Sequence, residues 1–274
     1  MNPRALAAWS LSGITVALAS GNPVYRALVV LCSINVLVAL RRPNVSLRGL
    51  AIALVIAGLI AVTVTTLASH TGDHAFLVLP AAIPVVGGAL TVEAALFGAS
   101  SGLGIAAAVL AAAPLSLVLL PNSLVDALPR ALARTGAAIG TALNLIPGIA
   151  RSATEIRDAQ RMRGWRPRRV REWPDLAVPV VLTALEGSIT LAEAMEARGY
   201  GSGARTHYSD MVWRGADIAV CAVAPAAAVA FVGLRIVGVI ADWYPFPDLS
   251  VPPINTFGVA CCLALATPAL VWRR

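Results

Sequence analysis

The sequence predicts an all-α fold, a polytopic bundle of membrane-spanning helices. Hydrophobic residues make up 58% of the 274 positions, charged residues make up 13%, and the mean hydropathy is +0.78. Several apolar runs approach the roughly 20 residues that a helix needs to cross a bilayer. Because lipid offers no hydrogen bonds to an open backbone, helices are the expected form of these runs. We therefore expect a multi-pass protein of the cell membrane, with the lipid bilayer as its first partner.

Four apolar stretches precede the centre of the chain and predict the first helices: residues 6–19, 24–40, 50–68 and 94–120. The first stretch also suits a cleavable secretory signal, but the Gly-Asn-Pro turn at 21–23 favours a helix pair. Residues 76–88 are brief and contain Pro80 and Pro84, so we expect a half-helix or a tilted span there.

The end of the chain adds two more apolar stretches, 216–241 and 254–272. With them we expect at most six confident crossings. The spacing of Gly98 and Gly102 predicts a close helix contact, because two small residues four apart let helix backbones approach in lipid. The sequence thus divides into N-terminal transmembrane helices at 1–121, a central charged region at 122–214, and C-terminal transmembrane helices at 215–274.

All 21 basic residues are arginines. A phosphate-binding P-loop needs a lysine, so this chain cannot hydrolyse ATP by that route, and any such energy must come from a partner. The arginines lie between and beside the apolar runs, which indicates topology rather than nucleic-acid binding. By the positive-inside rule, the segments 41–48, 130–171, 198–214 and 273–274 are expected in the cytoplasm.

One short motif occurs twice in the central region. Arg163 and Arg198 lie 35 positions apart, and each is followed by a glycine and an aromatic residue and preceded five places earlier by an acid. The glycines are Gly164 and Gly199, and the acids are Asp158 and Glu193. An arginine exposed at a helix end can pair through two hydrogen bonds with a carboxylate of another protein. Arginine and glycine are also common at ordinary helix ends, which is the alternative interpretation.

Each copy of the motif closes a stretch that is apolar first and charged later. Residues 137–149 lead into the charged stretch 151–163, and residues 176–185 lead into Glu186, Glu193 and Glu196. We expect two helices whose charged ends lie at the cytoplasmic surface. Glu186 and Glu193 share a helix face and can pair with arginines of the first helix. The basic residues 165–171 are expected to form a solvated turn or to lie against anionic lipid headgroups.

These residues resemble the transmembrane T component of energy-coupling factor (ECF) transporters, the family that includes the CbiQ-like subunits of metal importers. The resemblance covers residues 90–208 and rests on the segments 90–93, 145–147, 158–164, 178–179, 194–200 and 205–206. It implies that residues 122–214 are a cytoplasmic coupling-helix region whose two helices end in Arg-Gly motifs.

The resemblance also implies which residues bind partners. Met162-Arg163-Gly164 and Ala197-Arg198-Gly199 correspond to the family's two signatures, whose arginines dock into grooves on two ATP-binding cassette ATPase subunits. The first signature departs from the family by carrying Met162 where alanine is usual. Asp158, Glu193 and Glu196 would support the two arginines.

By the same resemblance, this chain is a non-catalytic relay between the ATPases and a separate substrate-binding membrane subunit, the S component. The complex would import a vitamin or a transition-metal ion, and the S component would select the cargo. No cofactor, resident metal or nucleic acid is expected.

Two other classes stay open from the residues alone. A membrane scaffold would bind soluble partners without transport, and a lipid or isoprenoid enzyme would use acids and arginines near the cytoplasmic face of the membrane. The latter lacks paired aspartates for a metal-bound phosphate. His70, Asp73 and His74 could collect a transition metal, although a polar loop between two spans is the simpler interpretation.

Overall fold

The computed structural model describes residues 2–40, 48–69, 72–78, 88–118, 133–166, 173–200, 213–246 and 249–272. The chain divides into two compact units, one comprising residues 1–120 and 212–274 and the other residues 121–211. The first unit therefore unites both ends of the chain. The predicted all-α membrane fold is confirmed, since five helices are long and apolar enough to cross a membrane.

The first unit contains nine elements in the described residues. They are α1 (Pro3–Ala19), α2 (Pro23–Leu40), α3 (Arg48–Ala68), β1 (Ala75–Val78), β2 (Ala89–Thr91), α4 (Val92–Val118), α7 (Gly215–Ile236), α8 (Thr256–Ala264) and α9 (Thr267–Val271). Helix α1 packs against α4 and α7, α2 packs against α4 and α8, and α3 packs against α4. The second unit contains α5 (Ala133–Met162) and α6 (Pro174–Ala197), which pack against each other.

Helix α1 lies in the core of the first unit. Its Trp9 is fully buried and donates an indole hydrogen bond to the carbonyl of Leu265 at 2.7 Å. Asn2 caps the helix by accepting from the backbone N–H of Arg4 at 3.0 Å, and Pro3 occupies the first turn, where a missing N–H costs nothing. The predicted first helix is therefore confirmed as part of the bundle.

Helices α3 and α4 approach closely at the two glycines that the sequence singled out. A Cβ on Gly98 would lie 2.8 Å from Cα of Val62, and one on Gly102 would lie 3.1 Å from Cα of Gly58. Real Cβ atoms do not approach backbone at 2.8 Å, so only glycine fits at position 98 without a shift. The predicted small-residue contact is confirmed, and its partner is α3.

The expectation of a half-helix or tilted span at 76–88 is wrong at the ends of that segment. Residues 75–78 form strand β1, which pairs antiparallel with β2 so that Val78 lies opposite Ala89. Residues 79–87 lie outside the described part of the chain. In the described residues, the pairing of β1 with β2 satisfies backbone groups that a helix would otherwise have paired internally.

The set of candidate spans differs from the expected one in three places. Helix α1 has 17 residues, fewer than the roughly 20 that a membrane-spanning helix needs, and it is not among the five candidate spans. The last apolar run divides into α8 and α9 at Leu265–Ala266. Helix α6 qualifies as a span by length and composition, with a hydropathy of 1.5. Its apolar stretch 176–185 explains that composition, because three of its four charged residues, Glu186, Glu193 and Glu196, lie in the second half of the helix.

Candidate functional site: two arginine-bearing helix ends

The end of α5 is closed by three backbone hydrogen bonds. The N–H of Arg163 donates to the carbonyl of Ala159 at 3.2 Å, that of Gly164 to Arg161 at 3.0 Å, and that of Trp165 to Gln160 at 2.9 Å. Gly164 has a φ of +89°. This set of bonds is a Schellman motif, which satisfies the last carbonyls of a helix and requires a left-handed residue after its final turn.

The end of α6 repeats the motif bond for bond. The N–H of Arg198 donates to Ala194 at 3.3 Å, that of Gly199 to Glu196 at 2.9 Å, and that of Tyr200 to Met195 at 2.9 Å. Gly199 has a φ of +74°. Each donor and each acceptor lies 35 positions after its counterpart in α5. The sequence repeat is therefore also a repeat of local backbone structure.

A third helix shows which part of the motif is general. At the end of α7, Val237, Gly238 and Val239 donate to Gly233, Arg235 and Leu234, and Gly238 has a φ of +81°. Here a valine stands where α5 and α6 carry arginine. The Schellman geometry alone is thus ordinary helix termination, as the alternative interpretation held. The arginine placed on that geometry is what distinguishes α5 and α6.

Both arginines are exposed, together with the residues around them. Arg163 and Arg198 are exposed, Met162 is 85% exposed, and Ala197 is exposed as well. The two aromatic residues differ, because Trp165 is half-buried with its indole nitrogen enclosed while Tyr200 is 58% exposed. A guanidinium carried at a helix end and open to solvent is available to a carboxylate of another protein.

The three acids predicted to support the arginines do not bind them in the described structure. Asp158, Glu193 and Glu196 are all exposed, and the ion pair recorded for Asp158 joins it to Arg157 at 3.9 Å. An exposed pair at that distance contributes little, typically below about 1 kcal/mol. The arginines at the two tips are therefore not neutralised by these acids.

The expected pairing of Glu186 and Glu193 with arginines of α5 is also absent. Among the described residues, no ion pair joins α5 to α6. Both glutamates are exposed, whereas the half-buried positions of α6 are mostly apolar: Leu176, Pro179, Val180, Ala184, Leu191 and Met195. Apolar packing accounts for the contact between the helices, which leaves the acids in solvent.

Helix α6 also carries an exposed apolar stripe. Five of its large side chains are between 52% and 62% exposed: Val178, Val181, Leu182, Leu185 and Ile189. Their spacing of three or four residues places them along one face of the helix. No residue of α6 is buried in the described structure. An exposed stripe of this kind suits lipid or another membrane protein.

At the hairpin of the first unit, the predicted polar cluster is only partly described. His70 lies outside the described residues, while His74 shares a hydrogen bond of 2.7 Å between its Nδ1 and Oε1 of the fully buried Glu93. The backbone N–H of His74 donates to the same oxygen at 3.2 Å. In the part of the chain that the structure describes, no three His, Cys, Asp or Glu side chains gather as metal ligands. The visible partner of His74 is thus Glu93.

Sequence reasoning missed a polar contact inside the first unit. Arg26 of α2 donates from Nη1 to the carbonyl and the hydroxyl of Ser100 in α4, at 2.7 and 3.0 Å. The Ser100 hydroxyl donates in turn to the carbonyl of Gly21 at 2.9 Å. An arginine within an apolar run was the available signal, because a charged residue inside a membrane span needs a polar partner.

Comparison with known proteins places the chain in a family. The profile of the family described as CbiQ, cobalt transport protein, matches residues 1–208. No curated protein sequence matches the chain. The matched region includes both arginine-bearing helix ends and all but the last helices of the first unit. A multi-pass helical chain with this match is a membrane component of a transport system, and it belongs to the CbiQ cobalt transport protein family.

Proposed function

We propose that this chain is the energy-coupling T component of an ECF-type importer. The observation that carries the proposal is the pair of exposed arginines, Arg163 and Arg198, held by the same backbone motif at the ends of two packed helices. In the proposed complex each arginine docks into a groove on one of two ATP-binding cassette ATPases. The transporter chain itself does no chemistry, and ATP hydrolysis belongs to the ATPases.

A rigid helix end suits this role because force must pass from the ATPase to the membrane. The Schellman bonds fix the backbone on both sides of each arginine, so a shift of the groove moves the whole helix rather than a loose loop. Helices α5 and α6 pack together, so they would move as a pair when the ATPases close on ATP. Residues 122–214 then act as the coupling region, at the cytoplasmic face that the positive-inside rule assigns to their arginines.

The exposed stripe of α6 is the proposed contact for a substrate-binding S component. Val181 and Leu185 are 62% and 56% exposed, so helix α5 of the same unit leaves them uncovered. In the proposed cycle, tilting of α6 reorients the S component, which releases a vitamin or a transition-metal ion inward. The cargo is selected by the S component, and the family description favours a cobalt-type metal ion.

The test is affinity purification of the tagged chain from mild detergent, with its partners co-expressed. Wild type is expected to retain two P-loop ATPases and a small hydrophobic membrane protein, and the double variant Arg163→Ala, Arg198→Ala is expected to lose the ATPases. The matched control is Arg151→Ala, an exposed arginine of α5 away from the tip whose Nε donates to the carbonyl of Pro147.

A thermal melt of each purified variant checks that the helices are intact. Loss of the ATPases by a variant that melts like wild type supports docking through the arginines. Retention by the double variant, or absence of any ATPase from the wild-type complex, contradicts the proposal and favours a membrane scaffold.

A further inference from the structure

The segment that leads into α8 is apolar and mostly non-helical. We define the α8 leader as residues 249–257, of which only the last two belong to α8. It carries no charged residue, and its large apolar side chains point away from the protein: Val251 is 88% exposed, and Ile254 and Phe257 are each 64% exposed. The leader lies beyond residues 1–208, the part of the chain that matches the family profile.

Two hydrogen bonds set the level of the leader against α7. Asn255 donates from Nδ2 to the carbonyl of Val239 at 3.0 Å, and the N–H of Val239 donates to the carbonyl of Leu234 at 2.9 Å. Leu234 lies in the last turn of α7. Asn255 is therefore level with that last turn, and the leader does not rise beyond the end of the helix.

The lengths of the helices agree with this level. Trp272, directly after α9, donates from its indole to the buried Asp217 in the first turn of α7 at 3.1 Å, so these two ends lie together. With a rise of about 1.5 Å per residue, α7 climbs about 29 Å from Asp217 to Ile236, whereas the stretch from Thr256 to Trp272 covers about 24 Å. Helix α8 thus begins about 5 Å short of the end of α7.

Helix α7 is long enough to cross the hydrocarbon core, which is about 30 Å thick, and it is one of the five candidate spans. The positive-inside rule assigns residues 198–214 to the cytoplasm, so α7 ends at the outer face. A leader that begins below that end lies in the outer leaflet. Ile236 and Val237, 80% and 77% exposed at the end of α7, lie at a similar depth.

The backbone of the leader is adapted to a place without water. Non-helical chain at membrane depth is tolerated where the protein itself pairs its polar groups. Pro252 and Pro253 have no N–H, and the carbonyl of Pro253 accepts from Nδ2 of the buried Asn22 at 2.7 Å. The N–H of Asn255 donates to the hydroxyl of the buried Tyr25 at 2.8 Å. Interior side chains thus supply partners that water supplies to a surface loop.

We propose that the α8 leader is a re-entrant element whose apolar side chains contact the acyl chains of the outer leaflet. Lipid is the occupant because the leader lies below the end of a full span, carries no charge, and turns its backbone groups toward its own chain. The ion pair of Arg235 with Asp242, just after the last turn of α7, then lies near the headgroups, where charged side chains are tolerated.

The test places a nitroxide at position 254 or 257 of the full chain in phosphatidylcholine vesicles. A genetically encoded ketone amino acid carries the label, so the four native cysteines stay in place. Electron paramagnetic resonance compares collisions with O₂, which concentrates in lipid, and with a water-soluble nickel chelate. Leu59, 60% exposed on the candidate span α3, is the lipid reference, and the exposed Glu155 of α5 is the water reference.

The expected ratio of O₂ to nickel collisions at positions 254 and 257 equals that at position 59 and is several times that at position 155. A ratio like that at position 155 places the leader in water and overturns the proposal. Few collisions with either reagent mean that another protein covers the leader, which overturns it as well. Each labelled protein should melt like the unlabelled chain, since the replaced side chains are exposed.

A pair of substitutions gives an independent measurement. Ile254→Asp should lower the thermal midpoint in vesicles, because a carboxylate at this depth is costly, whereas Ile254→Leu should leave the midpoint unchanged. In a leader that faces water, the exposed aspartate would cost little. Equal midpoints for Ile254→Asp and Ile254→Leu would therefore contradict the membrane location.

Discussion

Gly164 and Gly199 share one left-handed conformation, with φ of +89° and +74°, and each follows the arginine that ends its helix. In both places the glycine N–H bonds back to the helix, at 3.0 Å in α5 and 2.9 Å in α6. The left-handed backbone of each glycine thus determines how the chain turns away directly after Arg163 and Arg198. This relationship makes the glycines positioning residues for the proposed docking.

Replacing either glycine with alanine should weaken ATPase retention without removing an arginine. An L-residue in the left-handed region costs about 1–2 kcal/mol, which would fray the last turn and loosen Arg163 or Arg198. Retention is measured by the same co-purification as for the arginine variants.

The matched control is Gly238→Ala at the end of α7. Gly238 has a φ of +81° and the same bond pattern, but the residue directly before it is Val237 rather than an arginine. The backbone cost is therefore the same, and ATPase retention should stay at the wild-type level. Equal loss of retention in all three variants would mean that general destabilisation, rather than arginine placement, explains the result.

Arg163→Lys and Arg198→Lys should behave more like alanine variants than like wild type. A guanidinium binds a carboxylate through two parallel hydrogen bonds, whereas an ammonium acts as a point charge. If the second bond contributes about 1.4 kcal/mol, retention falls about tenfold. Titration of the purified ATPases onto the immobilised chain measures this change. Lysine variants that bind as tightly as wild type would indicate that only the positive charge matters.

Ser100→Ala should lower the stability of the first unit. The Ser100 hydroxyl accepts from Arg26 at 3.0 Å and donates to Gly21 at 2.9 Å, so its loss leaves two groups short of partners in a partly buried place. The expected cost is about 1–3 kcal/mol. The thermal midpoint in detergent measures it. Ser116→Ala is the control, since in the described part of the chain that hydroxyl donates to Ala113 of its own helix, at 3.1 Å. Equal midpoints for the two variants would count against the network.

Gly98→Ala should separate α3 from α4. Its new Cβ would lie 2.8 Å from Cα of Val62, a backbone atom that cannot move without shifting α3. Overpacking of this kind costs about 1–3 kcal/mol and lowers the thermal midpoint. Gly49→Ala, near the start of α3, is the control because, among the described residues, its Cβ position has no neighbour within 4 Å beyond the adjoining residues and the backbone of its own helix. A wild-type midpoint for Gly98→Ala would contradict the close approach.

Much of the site could be predicted from sequence because helix ends are local structures. Gly164 and Gly199 follow the last charged turns of α5 and α6, and the bonds that close each end span only a few residues. The exposure of Arg163 and Arg198 also follows from local sequence, since a charge at a helix end is best left in water. The Gly98 spacing predicted a close contact, but it did not name α3 as the neighbour.

Other features depended on residues far apart in the chain. The pairing of β1 with β2 joins residues on either side of 79–87, whereas the short apolar run 76–88 suggested a helix. The idea that Glu186 pairs with α5 failed because packing direction, which spacing does not reveal, turns that face to solvent.

The sequence by itself determined the membrane-spanning helical class and the repeated Arg-Gly helix ends, because composition and helix termination are properties of short segments. Only the tertiary structure decided that α1 is buried against the last helices, that Arg26 binds Ser100 and that the acids of the tips leave both arginines free of ion pairs within the described residues. These features require contacts between distant segments, whose geometry is set by the packing of whole helices.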